Sequence, residues 1–150
     1  MFNTALRIVN NTADAEDVLQ ESFTDAFMQL GKFEQKSTFG AWLKQIVIHK
    51  SIGHLKKRRV DLVDMDQANG FAEEEVDESS TRLTVEKIRN RMKDLPDGYR
   101  TVLSLYLFEG YDQEEIAEIL GVAHATVRTQ YIRAKQKLLQ LLKKGELYEQ

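Results

Sequence analysis

The sequence predicts an all-α protein of two small helical domains joined by a flexible acidic linker. Three observations carry that expectation. The 150 residues include one proline and 8 glycines, few of the residues that break helices. Apolar residues recur at three- and four-residue intervals toward both ends of the chain, and nothing reads as strand or as an internal repeat. Charge divides in three: residues 1–60 carry 9 Lys/Arg against 6 Asp/Glu, residues 61–86 carry 1 against 9, and residues 87–150 carry 11 against 9. A formal net charge of -3 therefore hides two basic flanks around an acidic middle.

The elements follow in order. Residues 1–10 read as the last turns of a helix. A second helix is expected from Thr12 or Asp14 to Leu30, with Leu19, Phe23, Ala26, Phe27 and Leu30 on one apolar face and Asp17, Gln20, Glu21 and Thr24 on the polar one. After a loop from Gly31 to Ser37, a third helix runs from about Thr38 to Arg59, its face formed by Phe39, Trp42 and Ile46 with neighbouring aliphatics. Residues 1–60 thus form the first domain. Residues 61–80 combine acids with Gly70 and Ser79-Ser80 and hold no sustained period; so little apolar surface cannot offset the entropy of ordering. Such a tether extends to at most about 66 to 72 Å, so the flanking basic domains could occupy separated sites. A solvated loop that merely connects is the plainer reading of the same stretch.

Residues 81–150 form the second domain. Val85, Ile88, Met92 and Leu95 share one helical face that ends before Pro96, and Tyr99 to Phe108 forms an apolar helix stopped by Gly110. Asp112 followed by Glu115 has the form of a capping box and opens a short helix closed by Gly121. A last helix runs from about Ala123 to Lys143. With Ile116, Ala117, Leu120, Val122 and Val127 turned inward, two helices across so tight a turn make a helix-turn-helix pattern. On the second of these helices Val127, Tyr131, Ala134 and Leu138 form the buried seam. Ala125, Thr129, Ile132 and Gln136 lie opposite, flanked by Arg128 and Arg133. No acid occurs from Ile119 to Gly145, as a surface facing a DNA major groove requires; a helical hairpin with a solvated basic face is the alternative.

Several chemistries find no residues. The chain has no cysteine, hence no disulfide or thiolate site, and a reducing cytoplasm is the expected compartment. No apolar run exceeds four residues, against about 20 for a membrane span, and the first residues carry no secretion-signal pattern. His49 and His54 are five apart without a third partner, so no metal site is expected, and neither a nucleophile triad nor a phosphate-binding glycine loop occurs. No enzyme activity and no cofactor are expected.

Leu95-Pro96, Arg100, Glu115 to Ala117, Leu120-Gly121, Thr126 to Arg128 and Arg133 to Lys135 together resemble the minus-thirty-five-binding domain of bacterial RNA polymerase sigma factors of the extracytoplasmic-function class. Asp14 to Asp17, Gln20-Glu21, Phe23, Phe39, Trp42-Leu43, Ile46 and the basic run Lys56 to Arg59 resemble the domain of that family that grips core polymerase and opens the minus-ten element. The resemblance implies a transcription initiation factor whose partners are the β′ and β subunits of core polymerase, promoter DNA and an anti-sigma factor, with no membrane insertion. It implies core docking by Asp17, Gln20, Glu21 and Thr24, while Asp14 and Glu16 read as first-turn acids that suit the helix dipole. For minus-ten DNA it implies Lys36, Phe39, Trp42, Lys44, His49, Lys56, Lys57, Arg58 and Arg59, although Phe39 and Trp42 read first as core because they share the Ile46 face. For minus-thirty-five DNA it implies His124, Ala125, Thr126, Arg128, Thr129, Ile132 and Arg133. A helix-turn-helix regulator that is no polymerase subunit is the alternative, and a helical protein-binding module the third.

Departures from the family pattern sharpen the expectations. His49 stands where the family usually has asparagine, Gly53 where it has aspartate, and Ala125 replaces a common glycine. Ala123 replaces a serine cap, at a cost of about 1 kcal/mol. The family's first domain begins further upstream, so an N-terminally incomplete domain with Phe2 and Leu6 partly exposed is expected.

Overall fold

The computed structural model describes residues 1–60 and 85–148, with side chains through Arg58 in the first stretch and through Gly145 in the second. The segment read as an acidic linker lies outside the described residues. Every regular element among them is helical. The chain separates into two compact units, Met1–Asp64 and Met65–Gln150.

The first unit holds α1 (Phe2–Val9), α2 (Thr12–Met28) and α3 (Phe39–Val60), with a 3-10 turn at Leu30–Lys32. Asn10 ends α1 in the left-handed region, φ 55°, its N–H donating to the Leu6 carbonyl; asparagine tolerates that conformation better than most residues. Asn11 then caps α2 by accepting from the Asp14 N–H at 2.9 Å. Thr38 does the same for α3, its Oγ1 accepting from the Ala41 N–H at 3.1 Å. The three helices pack mutually around Ala5, Val9, Ala15, Val18 and Val47, with Phe2, Leu6 and Leu19 partly buried against them.

Two faces differ from the sequence reading. On α2 the buried residues are Ala15, Val18, Ser22 and Ala26, whereas Phe23 is 50% exposed, Phe27 81% and Leu30 51%. Small side chains face α1 and α3, so the phenylalanine stripe is turned outward. On α3 the buried positions are Leu43, Val47, Ile48, Ser51, Ile52 and Leu55, and Phe39 is exposed with Trp42 only half-buried. Neither aromatic belongs to the core between the helices, because that seam runs along the other side of α3.

The second unit holds α4 (Val85–Met92), α5 (Asp97–Leu107), α6 (Gln113–Leu120) and α7 (His124–Tyr148). α4, α5 and α6 each pack on α7, and Met92, Leu95, Leu103, Ala134, Leu138 and Leu142 form the shared core. Arg100 is buried and pins the α4–α5 turn, donating to the Leu95 carbonyl at 3.0 Å and to Asp97 Oδ1 at 2.6 Å. Two side chains expected inside are outside: Val85 at the open start of α4 and Val122 in the turn before α7. The last helix extends five residues past the expected Lys143, and Gly145 there leaves room for the Arg91 guanidinium to lie across it.

Candidate functional site

The outward face of α2 carries Asp17, Gln20, Glu21 and Thr24, all exposed. Beside them stand Phe23 and Phe27, which the sequence reading had assigned to the core. Thr24 Oγ1 donates to the Gln20 carbonyl at 3.0 Å, so its hydroxyl proton is engaged within the helix. Glu21 does not stand alone, since its Oε2 lies 3.3 Å from His54 Nε2 on α3. It is the middle rung of a ladder between α2 and α3. Lys50 pairs with Asp25 at 2.6 Å on one side, and Arg58 with Asp14 at 3.4 Å on the other. The hydrogen bond to Asp25 raises the Lys50 pKa above 10.5, its Coulomb attraction and that of Glu21 adding to the effect while desolvation opposes it.

Residues 39, 42, 46, 49, 53 and 56 follow three- and four-residue steps along α3 and therefore share a face. Phe39 and Trp42 head it, joined by Phe33 from the preceding loop. Their ring centroids are 5.1 Å apart for Phe33 and Trp42, 5.7 Å for Phe39 and Trp42 and 6.0 Å for Phe33 and Phe39. His49 and Lys56 continue the stripe as exposed side chains, and Lys57 flanks it. An aromatic platform leading into basic side chains suits unstacked bases and their phosphates. Phe33 was missed by sequence reasoning; its only signal is its place in the loop before α3.

The structure divides the remaining candidates. Lys36 is exposed in that loop and pairs with Glu34 at 3.0 Å. Lys44 follows Trp42 by two residues, about 200° around the helix, and is half-buried away from the stripe. Arg58 reaches toward the end of α1 rather than along the stripe: Nη2 donates to the Val9 carbonyl at 2.8 Å and Nη1 reaches Asp14. The physical reason is that Val9 ends α1 with a carbonyl that its own helix cannot satisfy. The side chain of Arg59 lies outside the described residues.

In the second unit Asp112 Oδ1 accepts from the Glu115 N–H at 2.8 Å and the Glu115 carboxylate accepts from the Asp112 N–H at 3.2 Å, completing the capping box. Gly121 takes φ 68°. Its N–H reaches the Glu118 carbonyl and the Val122 N–H reaches that of Ala117, a paired closure that fixes the angle at which α7 leaves. Val127 and Ile116 are fully buried where α6 meets α7. Ala123 caps α7 through its carbonyl alone, accepting from Thr126 and Val127. His124, Ala125, Thr126, Arg128, Thr129, Ile132 and Arg133 are all exposed, with Ala125, Thr129 and Ile132 opposite the seam. The structure thus brings the whole expected set onto one end of one helix. Among the described residues no cluster of His, Asp and Glu is arranged to hold a metal ion, and no helix is long and apolar enough to cross a membrane.

A helical unit with an aromatic and basic stripe, followed by a helix-turn-helix unit, has the form of a nucleic-acid-binding protein. Residues 1–60 match the family described as Sigma-70 region 2, and residues 85–138 match Sigma-70, region 4. The chain is similar to the RNA polymerase sigma-H factor of Pseudomonas aeruginosa, 31% identical over 145 residues that cover 89% of this chain and 75% of that protein. It is also similar to the ECF RNA polymerase sigma factor SigW of Bacillus subtilis, 26% identical over 157 residues, 95% of this chain and 83% of that one. Among solved structures, the sigma factor RpoE of Bartonella quintana in complex with the anti-sigma factor NepR superposes with a TM-score of 0.65 at 24% identity, covering 95% of this chain and 89% of that one. CnrH in complex with the cytosolic domain of CnrY gives 0.58 at 24% identity, covering 95% and 80%. The chain belongs to the sigma-70 family and, within it, to the extracytoplasmic-function class of RNA polymerase sigma factors. It is a transcription initiation factor, and the alternative of a regulator that is no polymerase subunit is not favoured.

Proposed function

We propose that the first unit docks on the β′ subunit of core polymerase through the outward face of α2 and receives the minus-ten strand on the stripe of α3, while the second unit meets the β subunit and reads the minus-thirty-five duplex with α7. One observation carries the docking assignment. α2 leaves Phe23 and Phe27 in water beside Asp17, Gln20, Glu21 and Thr24, and aromatic groups among acids and amides suit a partner helix that offers arginines and aliphatic side chains. On α3, Phe39, Trp42, His49, Lys56 and Lys57 take the DNA role, with Phe33 and Lys36 from the loop. Lys44 and Arg58 hold the scaffold. On α7 the role falls to His124, Ala125, Thr126, Arg128, Thr129, Ile132 and Arg133. The chain itself performs no chemistry, since nucleotide joining belongs to the polymerase, and it works in the cytoplasm. An anti-sigma factor that covers these surfaces belongs to the reading; RpoE and CnrH were each solved with a protein partner.

Run-off transcription with purified core enzyme tests the proposal. The wild-type chain directs a discrete start. Phe27→Ala, and Glu21→Lys combined with Gln20→Ala, weaken core binding at least tenfold while the unit melts within about 1 kcal/mol of wild type, because these side chains lie at the surface. Unchanged core affinity in both variants removes α2 as the docking face.

A further inference from the structure

Ile132 is the odd member of the α7 face. It is 45% exposed, a large aliphatic side chain among two arginines and a threonine, while the buried seam of the same helix runs through Val127, Ala134 and Leu138. Single apolar residues on a surface are ordinary, but this one has particular neighbours. Thr129, on the same face, donates its hydroxyl proton to the Ala125 carbonyl at 3.0 Å, which leaves it no O–H for a base. Ala125, one turn earlier, adds only a methyl group. Positions 125, 129 and 132 therefore form a strip without a side-chain donor, between Arg128 on one side and Arg133 on the other. At about 1.5 Å per residue the strip is about 10 Å long, close to three base-pair steps of about 3.4 Å.

Every base edge in the major groove offers donors or acceptors, and thymine alone adds an apolar group, its C5-methyl. We infer that Ile132, with the Ala125 and Thr129 side chains beside it, reads thymine methyl groups within the minus-thirty-five duplex. It thereby gives the promoter a thymine-containing step next to the bases met by Arg128. This rests on the reading of α7 as the promoter-contacting helix, and the test separates the two.

The full chain is assembled with core polymerase and used to enrich duplexes from a pool randomised across the minus-thirty-five and minus-ten windows. The enriched duplex is then synthesised with each minus-thirty-five thymine replaced in turn by deoxyuridine, which removes the methyl group and nothing else. Wild type loses about three- to fivefold in affinity at one or two positions, the value of one methyl-sized burial. Ile132→Ala binds the thymine and uracil forms alike, and Ile132→Val keeps the distinction. Three results overturn the inference: a window enriched without thymine, uracil tolerated at every position, or Ile132→Ala with wild-type sensitivity. In each of these a continued preference for the enriched duplex over one shuffled in its minus-thirty-five window alone leaves α7 as the reader. Loss of that preference removes α7 and the inference together.

Discussion

Replacing Arg58 by methionine tests whether this arginine serves the fold or the DNA. Its guanidinium donates to the Val9 carbonyl at 2.8 Å and reaches Asp14 at 3.4 Å, tying the end of α1 and the start of α2 to α3. Val9 is fully buried, so its carbonyl would lose a charge-assisted bond worth about 1.5 to 3 kcal/mol. The Asp14 pair is about a third exposed on each side, and solvent screening holds it to roughly 0 to 1 kcal/mol. Methionine keeps most of the aliphatic packing, so the expected loss is about 2 to 3 kcal/mol. For a unit of this size about 1 kcal/mol moves the midpoint by 4 to 8 °C, which makes a fall on the order of 10 to 20 °C. The chain has one tryptophan, Trp42, so its fluorescence during heating reports the first unit alone. A midpoint within about 2 °C of wild type, together with promoter binding that weakens and loses about one unit of salt slope, would refute the clamp and return Arg58 to the phosphates.

Three further outcomes follow. The Lys50 pKa is raised by Asp25, so the stability this pair contributes is full below pH 10.5 and is lost as pH rises through the higher folded value. Wild type therefore loses more of its Trp42-monitored stability between pH 10 and 12 than Asp25→Asn does. Gly121→Ala places a Cβ at φ 68° and destabilises the second unit by about 1 to 2 kcal/mol in calorimetry, although open space surrounds the position. In binding titrations of the full holoenzyme, Arg128→Ala relaxes discrimination at one base pair by about 1 to 3 kcal/mol, and Arg133→Ala weakens all sequences alike with a salt slope lower by about one. Equal losses on matched and mismatched promoters for Arg128→Ala would make it a phosphate contact.

Much of this architecture is legible in the sequence because helix boundaries are local chemistry. Asp112 with Glu115, Gly121 and Pro96 each act within a few residues, and each stands where it was read. The inner face of α7 was also legible. Its outer face carries one large aliphatic side chain, Ile132, between Arg128 and Arg133, so the continuous seam of Val127, Ala134 and Leu138 outweighed it.

α2 and α3 offered two apolar faces each, and hydrophobicity alone favours the wrong one. The core of the first unit is lined on α2 by alanine, valine and serine. Small side chains let α1 and α3 approach closely, but they carry little hydrophobic weight in a sequence. Phenylalanine carries much more, so Phe23, Phe27 and Phe39 read as interior. The basic run divides for a related reason: Lys56 to Arg59 reads as one basic block, yet at about 100° per residue consecutive side chains leave the helix in different directions. Arg58 falls on the side of α1 and Lys56 on the side of Trp42. A helix with aromatic residues beyond what its own core needs has its surplus on the surface, and a surplus held in water through folding gains its free energy only when another surface covers it. In α2 and α3 the ambiguity that defeats the core assignment therefore marks the faces proposed here for polymerase and for the opened strand.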